Sequence, residues 1–165
     1  LQYKYSNSNQ LEGWHTIKHH DGCHCGRVRF QTEFDPLLVY QCNCQRCRRM
    51  GGNVSAFTVY GKVELEINGH THEFITPGGS GLPVHYFSCA NCATRVYITP
   101  EFLDGFQLIP LETSDDSLQF EQKMERFTNY KVTWTQDNGC LNESFEESAV
   151  IERIGAMMEN LDQRA

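Results

Sequence analysis

Seven of the eight cysteines in this chain fall into three short clusters. The clusters are Cys23-His-Cys25, Cys42-Asn-Cys44-Gln-Arg-Cys47 and Cys89-Ala-Asn-Cys92. The C-x-C and C-x-x-C spacings place two sulfurs close together on a tight turn, the geometry that a tetrahedral zinc ion takes from a chelating pair. Four thiolates close one structural site, and the other three leave a second site with an open fourth position for water or substrate. The count therefore predicts a domain with two zinc ions, and the spacing leaves open which clusters pair.

Other uses of these cysteines fit the pattern less well. A disulfide framework is disfavoured because neighbouring C-x-C residues are awkward to bridge, and a chain of 165 residues is long enough to build a core without cross-links. A redox dithiol needs one C-x-x-C motif rather than three clusters. A third alternative, in which the zinc ions are purely structural, stays open at this stage.

The remaining composition is that of one ordinary domain spanning residues 1–165, with 39% hydrophobic residues and no apolar run long enough to span a bilayer. Residues 1–14 are expected to form a loose arm, and their polar character shows no secretory signal. Reduced, metal-binding thiols favour a cytoplasmic location. The net charge of −7 argues against general nucleic-acid binding, which needs a basic surface.

Periodicity predicts a mainly β architecture. Short strands are expected at 27–30, 37–40, 54–60, 84–87, 95–98, 106–110 and 130–135. The segment Lys62–Ile67 alternates charged and apolar residues and predicts a further amphipathic strand. Asn68-Gly69 is typical of a two-residue hairpin turn and predicts that this strand pairs with His72–Ile75. Cys89 and Cys92 are expected at the tip of another hairpin.

The end of the chain predicts one α-helix in segment 143–162. Ser144 and Glu147 fit a capping box, and Val150, Met157 and Leu161 recur at helical spacing from about residue 145 onward. The apolar face of this helix would also allow a homodimer.

Three stretches of the sequence resemble one enzyme family. They are Gly22–Phe30, Cys42–Arg49 followed by Gly51-Gly52, and Phe87–Tyr97. In this order they resemble the glutathione-dependent formaldehyde-activating enzyme family, which also includes centromere protein V, over roughly residues 20–140. Two positions depart from the usual pattern, since Asn43 stands where members often carry His and Ala93 where Gly is usual.

The resemblance implies a β-tent fold with two zinc sites, and the C-terminal α-helix predicted from periodicity lies beyond the minimal pattern of the family. By that analogy the structural zinc is bound by one set of four cysteines, Cys23, Cys25, Cys89 and Cys92. The second zinc would be held by the catalytic set of three, Cys42, Cys44 and Cys47, with its fourth position free.

A zinc ion with three thiolates and an open position can bind an exogenous thiol, lower its pKa and hold it as a nucleophile. Attack on a small aldehyde gives a hemithioacetal, and the reverse reaction cleaves a carbon–sulfur bond. With glutathione and formaldehyde the product would be S-(hydroxymethyl)glutathione. The leading hypothesis is a carbon–sulfur lyase whose partners are a small thiol and a small electrophile. The alternatives are a diverged enzyme acting on a larger electrophile and a non-catalytic, zinc-stabilised binding module.

Several charged residues lie close to the clusters in sequence. Arg48 and Arg49 follow the second cluster, where they could bind the carboxylates of a peptide thiol or stay solvated. Arg95 is expected to offset the charge of the four-thiolate site. His24 is expected to face solvent, although closure of the open position by His24 would exclude the enzyme hypothesis. His85 is the candidate for a proton shuttle.

Overall fold

The computed structural model describes residues 17–135 and 139–148, and its architecture there is mainly β. The strands are β1 (His19–Gly22), β2 (Arg29–Thr32), β3 (Leu38–Cys42), β4 (Ser55–Gly61), β5 (Glu66–Asn68), β6 (Thr71–Pro77), β7 (Pro83–Cys89), β8 (Arg95–Pro100), β9 (Phe106–Pro110), β10 (Met124–Arg126) and β11 (Glu143–Phe145). The α-helix in this part of the chain is α1 (Gln45–Gly51), and 3-10 turns lie at Lys62–Glu64, Glu101–Leu103, Leu111–Thr113, Ser117–Gln119 and Thr128–Tyr130.

These strands form two sheets. A small antiparallel sheet has the order β1-β2-β5, and a large sheet has the order β11-β10-β3-β4-β9-β8-β7-β6. Neighbours in the large sheet are antiparallel except where β10 lies parallel to both β3 and β11. Strand β3 is buried along its whole length, because β4 and β10 flank its two edges and its side chains pack into the core. The mainly β prediction is confirmed.

The largest core cluster lies on one face of the large sheet. It contains Leu38, Tyr40 and Phe57, together with Tyr86 from β7, and Cys44 and Cys47 pack against it from the side. A second cluster joins Val28 and Val96 to cysteines of the first and third sequence clusters. The thiols are therefore part of the packed interior, and their positions depend on the same apolar burial that stabilises the sheets.

The third cysteine cluster lies at the tip of the β7–β8 hairpin, as the sequence predicts. The Cys89 amide donates to the carbonyl of Thr94 at 2.8 Å, and the Ala93 amide donates to the carbonyl of Cys89 at 2.9 Å. Ala93 takes a left-handed backbone with φ +59°, a region that costs most residues about 1–2 kcal/mol. This conformation explains why glycine is usual at this position in the family that the sequence resembles.

The segment after β4 differs from the prediction. Residues Lys62–Glu64 form a 3-10 turn in which the Gly61 amide donates to the Glu64 carboxylate at 2.7 Å, and Val63 is 98% exposed. The short β5 that follows pairs with β2, whereas β6 pairs with β7. The hairpin predicted at Asn68-Gly69 is therefore wrong, because this turn carries the chain from the small sheet into the large one.

Two further predictions near the C-terminal end are corrected. The strand expected at 130–135 is absent, since this part of the chain forms a 3-10 turn ending at Tyr130 followed by further turns. Ser144 does not begin a helix. It lies in β11, and its hydroxyl donates to the Glu125 carboxylate at 3.0 Å. The remainder of the predicted helix, the homodimer contact assigned to it and the arm at residues 1–14 lie outside the described residues.

Gly69 makes the close approach between the two sheets. A Cβ at this position would lie 2.2 Å from the carbonyl oxygen of Arg27 and 2.8 Å from the Cα of Val28, and the backbone has φ +118°. Both contacts are to backbone atoms, which cannot move aside as a flexible side chain would. The turn therefore requires glycine, because any side chain would push the first cysteine loop away from the large sheet.

Replacing Gly69 with Ala is expected to destabilise the protein by about 2–4 kcal/mol, because the substitution adds a clash and disfavours the backbone conformation. The thermal midpoint of the zinc-loaded protein should fall by at least about 5 °C. Gly79→Ala is the matched control, since a Cβ there meets nothing within 4 Å. Equal midpoints for the two variants would contradict the close approach at Gly69.

Replacing Ala93 with Gly is expected to stabilise the protein by about 1 kcal/mol, because glycine removes the left-handed penalty at this turn. Thermal unfolding should shift upward by about 2–4 °C. Ala90→Gly, at an exposed position of the same turn, should instead lower the midpoint because it only adds freedom to the unfolded chain. A decrease for Ala93→Gly would show that the Ala93 backbone is not left-handed.

Candidate metal centres

The first candidate centre joins the two sheets through four thiols. Cys23 and Cys25 lie in the loop after β1, and Cys89 and Cys92 lie at the tip of the β7–β8 hairpin. All four sulfurs lie within 4.8 Å of one another. The Cys23 and Cys25 sulfurs are 3.5 Å apart, and those of Cys25 and Cys89 are 3.8 Å apart. Sulfurs at Zn–S bond lengths of about 2.3 Å on a tetrahedron lie about 3.8 Å apart, so the donor set fits zinc.

Backbone amides point at these sulfurs, as they do when sulfur carries negative charge. The Val28 amide donates to the Cys23 sulfur at 3.2 Å, and the Asn91 amide donates to the Cys89 sulfur at 3.4 Å. A hydrogen bond with the Thr94 hydroxyl, the largest contribution, lowers the pKa of Cys92 to about 5. Burial raises the pKa of Cys23 to about 11. A bound cation would stabilise the thiolate form of Cys23 and so lower the pKa that burial raises.

The second candidate centre is local in the chain. Cys42 ends β3, Cys44 caps the N-terminus of α1, and Cys47 lies one turn into that helix. Their sulfurs lie within 4.8 Å of one another, and the Cys47 amide donates to the Cys44 sulfur at 3.4 Å. Cys42 is buried, whereas Cys44 and Cys47 are partly exposed. Solvent therefore reaches this centre from the helix side.

Negative charge in this cluster concentrates on one sulfur. Hydrogen bonds with Cys42 and Cys47 lower the pKa of Cys44 to about 2, whereas hydrogen bonds with Cys42 and Cys44 raise the pKa of Cys47 above its usual range. Within residues 17–135 and 139–148, no fourth His, Cys, Asp or Glu completes this group of three. Three soft donors with a free position fit a zinc ion that keeps room for one further ligand.

No cysteine that the structure describes forms a disulfide, and Cys140 lies outside both centres. The disulfide framework weighed from the sequence therefore has no support. His24 is exposed and belongs to neither group, and its amide donates to the Thr94 hydroxyl at 3.3 Å. The closure of the second centre by His24, which would have excluded an open site, does not occur.

Two of the arginines chosen from the sequence lie on α1, after the second cysteine cluster. One terminal nitrogen of Arg48 donates to the Tyr130 carbonyl at 3.0 Å, and Arg49 is exposed on the same helix. Arg95, expected at the four-thiol centre, instead pairs with Glu112 at 2.8 Å and fills the space beside Gly51, where a Cβ would lie 2.3 Å from its guanidinium. Arg95 thus supports the end of α1 rather than a thiolate.

The candidate proton shuttle, His85, is hydrogen-bonded to two carboxylates through its two ring nitrogens. Its Nδ1 lies 2.7 Å from a Glu73 carboxylate oxygen, and its Nε2 lies 3.2 Å from one of Glu101. The hydrogen bond with Glu73, followed by that with Glu101, raises the pKa of His85 above its usual value. His85 is therefore the centre of an ion-paired surface cluster on β7.

Sequence reasoning missed two groups that stand beside the three-thiol centre. Arg126 on β10 lies in register with Cys42, and its charge opposes the rise in pKa that the hydrogen bond with Cys44 causes in Cys42. Tyr86 on β7 forms a hydrogen bond with the Arg46 side chain, and burial raises its pKa. Both come from strands distant in the chain, and neither lies in a motif that could have identified it.

Comparison with known proteins gives one informative match. None of the curated proteins searched matches the chain. A crystal structure of a Rhodobacter sphaeroides protein is similar at 16% identity and a TM-score of 0.45, covering 59% of this chain and 88% of that chain. The model of the family described as glutathione-dependent formaldehyde-activating enzyme matches residues 18–130, which include both groups of thiols. The chain therefore belongs to the glutathione-dependent formaldehyde-activating enzyme family.

Proposed function

We propose that this chain is a zinc-dependent carbon–sulfur lyase that forms or cleaves an adduct of glutathione, or another small thiol, with an aldehyde. In the forward direction the thiol sulfur bonds to the aldehyde carbon, the thiol proton is lost, and the carbonyl oxygen gains a proton. With formaldehyde the product is S-(hydroxymethyl)glutathione. Family membership supports the reaction class, and the three-thiol centre supports the location of the chemistry.

One observation favours this activity over a purely structural role for both metals. The group of Cys42, Cys44 and Cys47 has three ligand atoms, and the described residues offer no fourth to close it. Cys44 and Cys47 are partly exposed, so a small thiol can approach from solvent. A non-catalytic binding module would have no need of a free and reachable coordination position.

The four-thiol group would hold a structural zinc, and the three-thiol group a catalytic one. At the latter, zinc would supply a Lewis-acid position that lowers the pKa of an incoming thiol. The chain itself supplies orientation. Arg46 is held by Tyr86 next to the centre, and Arg48 and Arg49 on α1 are proposed to bind the carboxylate of a peptide thiol that lies farther from its sulfur. The protein accelerates the reaction chiefly through proximity, because the reacting groups are brought together in one orientation.

The cellular location is inferred from the redox state that metal-binding cysteines require. Reduced cysteines that serve as metal ligands are maintained in the cytoplasm, which is the proposed location. Residues 1–165 are proposed to act as a single domain, because the four-thiol centre joins the two sheets and the three-thiol centre lies at the end of β3 in the large one. No described helix is both long enough and apolar enough to cross a lipid bilayer.

The zinc content of the purified protein tests the two centres directly. Two zinc ions per chain are expected for the wild type and about one for Cys44→Ser, in which the hydroxyl can still cap α1 but is a poor zinc ligand. Cys140→Ser is the control and should keep both ions, because Cys140 lies outside both groups. Elemental analysis by mass spectrometry gives the ratio, and circular dichroism checks the fold. Unchanged zinc in Cys44→Ser would remove the second centre.

The activity is tested by exchange spectroscopy with ¹³C-labelled formaldehyde and glutathione. Wild-type protein should speed the exchange between free and adduct formaldehyde well beyond the rate without protein. Cys44→Ser should lose this acceleration, because it lacks the second metal, while Cys140→Ser should retain it. Wild-type protein that holds two zinc ions yet fails to accelerate the reaction would instead support the binding-module alternative.

A further inference from the structure

We propose that Arg126 is the residue of the three-thiol centre that selects thiols carrying a carboxylate, an inference that rests on the proposed function. Sequence reasoning placed this task on Arg48 and Arg49, which follow the ligands along α1. The fold places a different arginine beside the ligand Cys42, on a strand that the cysteine motifs do not include.

Sheet register places Arg126 beside the ligands. Strand β10 runs parallel to β3, and its residues Met124 and Arg126 stand opposite Tyr40 and Cys42. Side chains two residues apart on a strand share a face, so Arg126 lies on the same core-facing side as Cys42. Neighbouring strands are about 4.8 Å apart, which places the base of the Arg126 side chain one strand away from a metal ligand.

The guanidinium of Arg126 packs against aromatic rings, and no carboxylate of residues 17–135 or 139–148 forms an ion pair with it. Its central carbon lies 5.6 Å from the ring centroid of Tyr40 and 5.5 Å from that of Phe127. Its Nε is buried and has no hydrogen-bond partner among the described residues. Two arginines outside this site are paired with carboxylates, Arg29 with Asp115 and Arg95 with Glu112. Within the part of the chain that the structure describes, the charge and the Nε donor of Arg126 are therefore left for another group.

The backbone around Arg126 holds the side chain in place. Both the amide and the side-chain nitrogen of Asn43 donate to the Arg126 carbonyl, at 3.0 and 3.1 Å. The next residue, Phe127, takes a left-handed backbone with φ +59°, which turns its ring against the guanidinium. Non-glycine residues in this conformation cluster at functional sites, where the surrounding structure maintains them. Because the group is fixed before substrate arrives, little ordering entropy is lost on binding.

A carboxylate is the ligand that suits this arrangement. Guanidinium offers paired N–H donors in a planar fork that matches the two oxygens of a carboxylate. Arg126 is only partly buried, so a solvent-borne ligand can reach it. A thiol whose sulfur occupies the free position of the three-thiol centre, with a carboxylate a few bonds away, would contact both groups. Neutral thiols would bind the metal alone.

The inference is tested by comparing two thiols of the same length, 3-mercaptopropionate and 3-mercapto-1-propanol. Their dissociation constants are measured by calorimetry on zinc-loaded protein. Wild-type protein should bind the acid about 10- to 100-fold more tightly, the usual range for a charge-assisted hydrogen bond. Arg126→Gln should reduce this ratio to near one and leave the affinity for the alcohol within about twofold. A merely structural role would weaken both thiols equally.

Two further variants complete the comparison. Arg126→Lys should give an intermediate ratio, because it keeps the charge but loses the planar fork. Arg29→Gln removes an arginine from the small sheet and should keep the wild-type ratio. A wild-type ratio in Arg126→Gln would overturn the role of Arg126 while leaving the proposed function intact. Loss of one zinc from both Arg126 variants would also overturn it, because Arg126 would then serve the metal. Failure of wild-type protein to bind either thiol would overturn the proposed function itself.

Discussion

The contact between four thiols at the junction of the two sheets is the constraint on which the rest of the structure depends. Cys25 and Cys89 are 64 residues apart in sequence, yet their sulfurs lie 3.8 Å apart. Apolar side chains surround this junction, and Gly69 allows the chain to pass close beside it. A metal ion bound there would close a long loop, and its binding free energy would add to the stability of the fold. The small sheet has only three strands and depends on this junction for its position.

The three-thiol centre is built from one short segment of the chain and not from distant ones. Its ligands lie within six residues, at the end of one strand and the start of one helix. Cys44 has two roles, as cap of α1 and as a candidate ligand, so the helix and the centre form together. The large sheet then brings β10 alongside β3 and adds Arg126 to the edge of the site. The two groups of cysteines therefore differ in construction, since one joins two sheets and the other is built from a single short segment.

Much of this could be predicted from sequence where the information is local. The hairpin that carries Cys89 and Cys92 and most of the short strands follow from patterns a few residues long. The wrong predictions concern local sequence patterns that are compatible with more than one tertiary structure. Alternation at Lys62–Ile67 reflects a turn that crosses between sheets, and Asn68-Gly69 satisfies a backbone requirement without making a hairpin. Ser144 precedes an acidic residue at capping distance, but its hydroxyl is used by Glu125.

The sequence by itself determined the number of thiols and their grouping into three clusters, because chelating pairs are made by neighbouring residues, while the composition of the three-thiol centre was implied by the family resemblance. Only the tertiary structure brought the first and third clusters together, since that contact depends on the packing of two sheets. It also moved Arg95 to the end of α1 and placed Arg126 beside Cys42. Strand order and register decide such neighbours, and they are set by burial summed over the whole core rather than by any motif near the residues concerned.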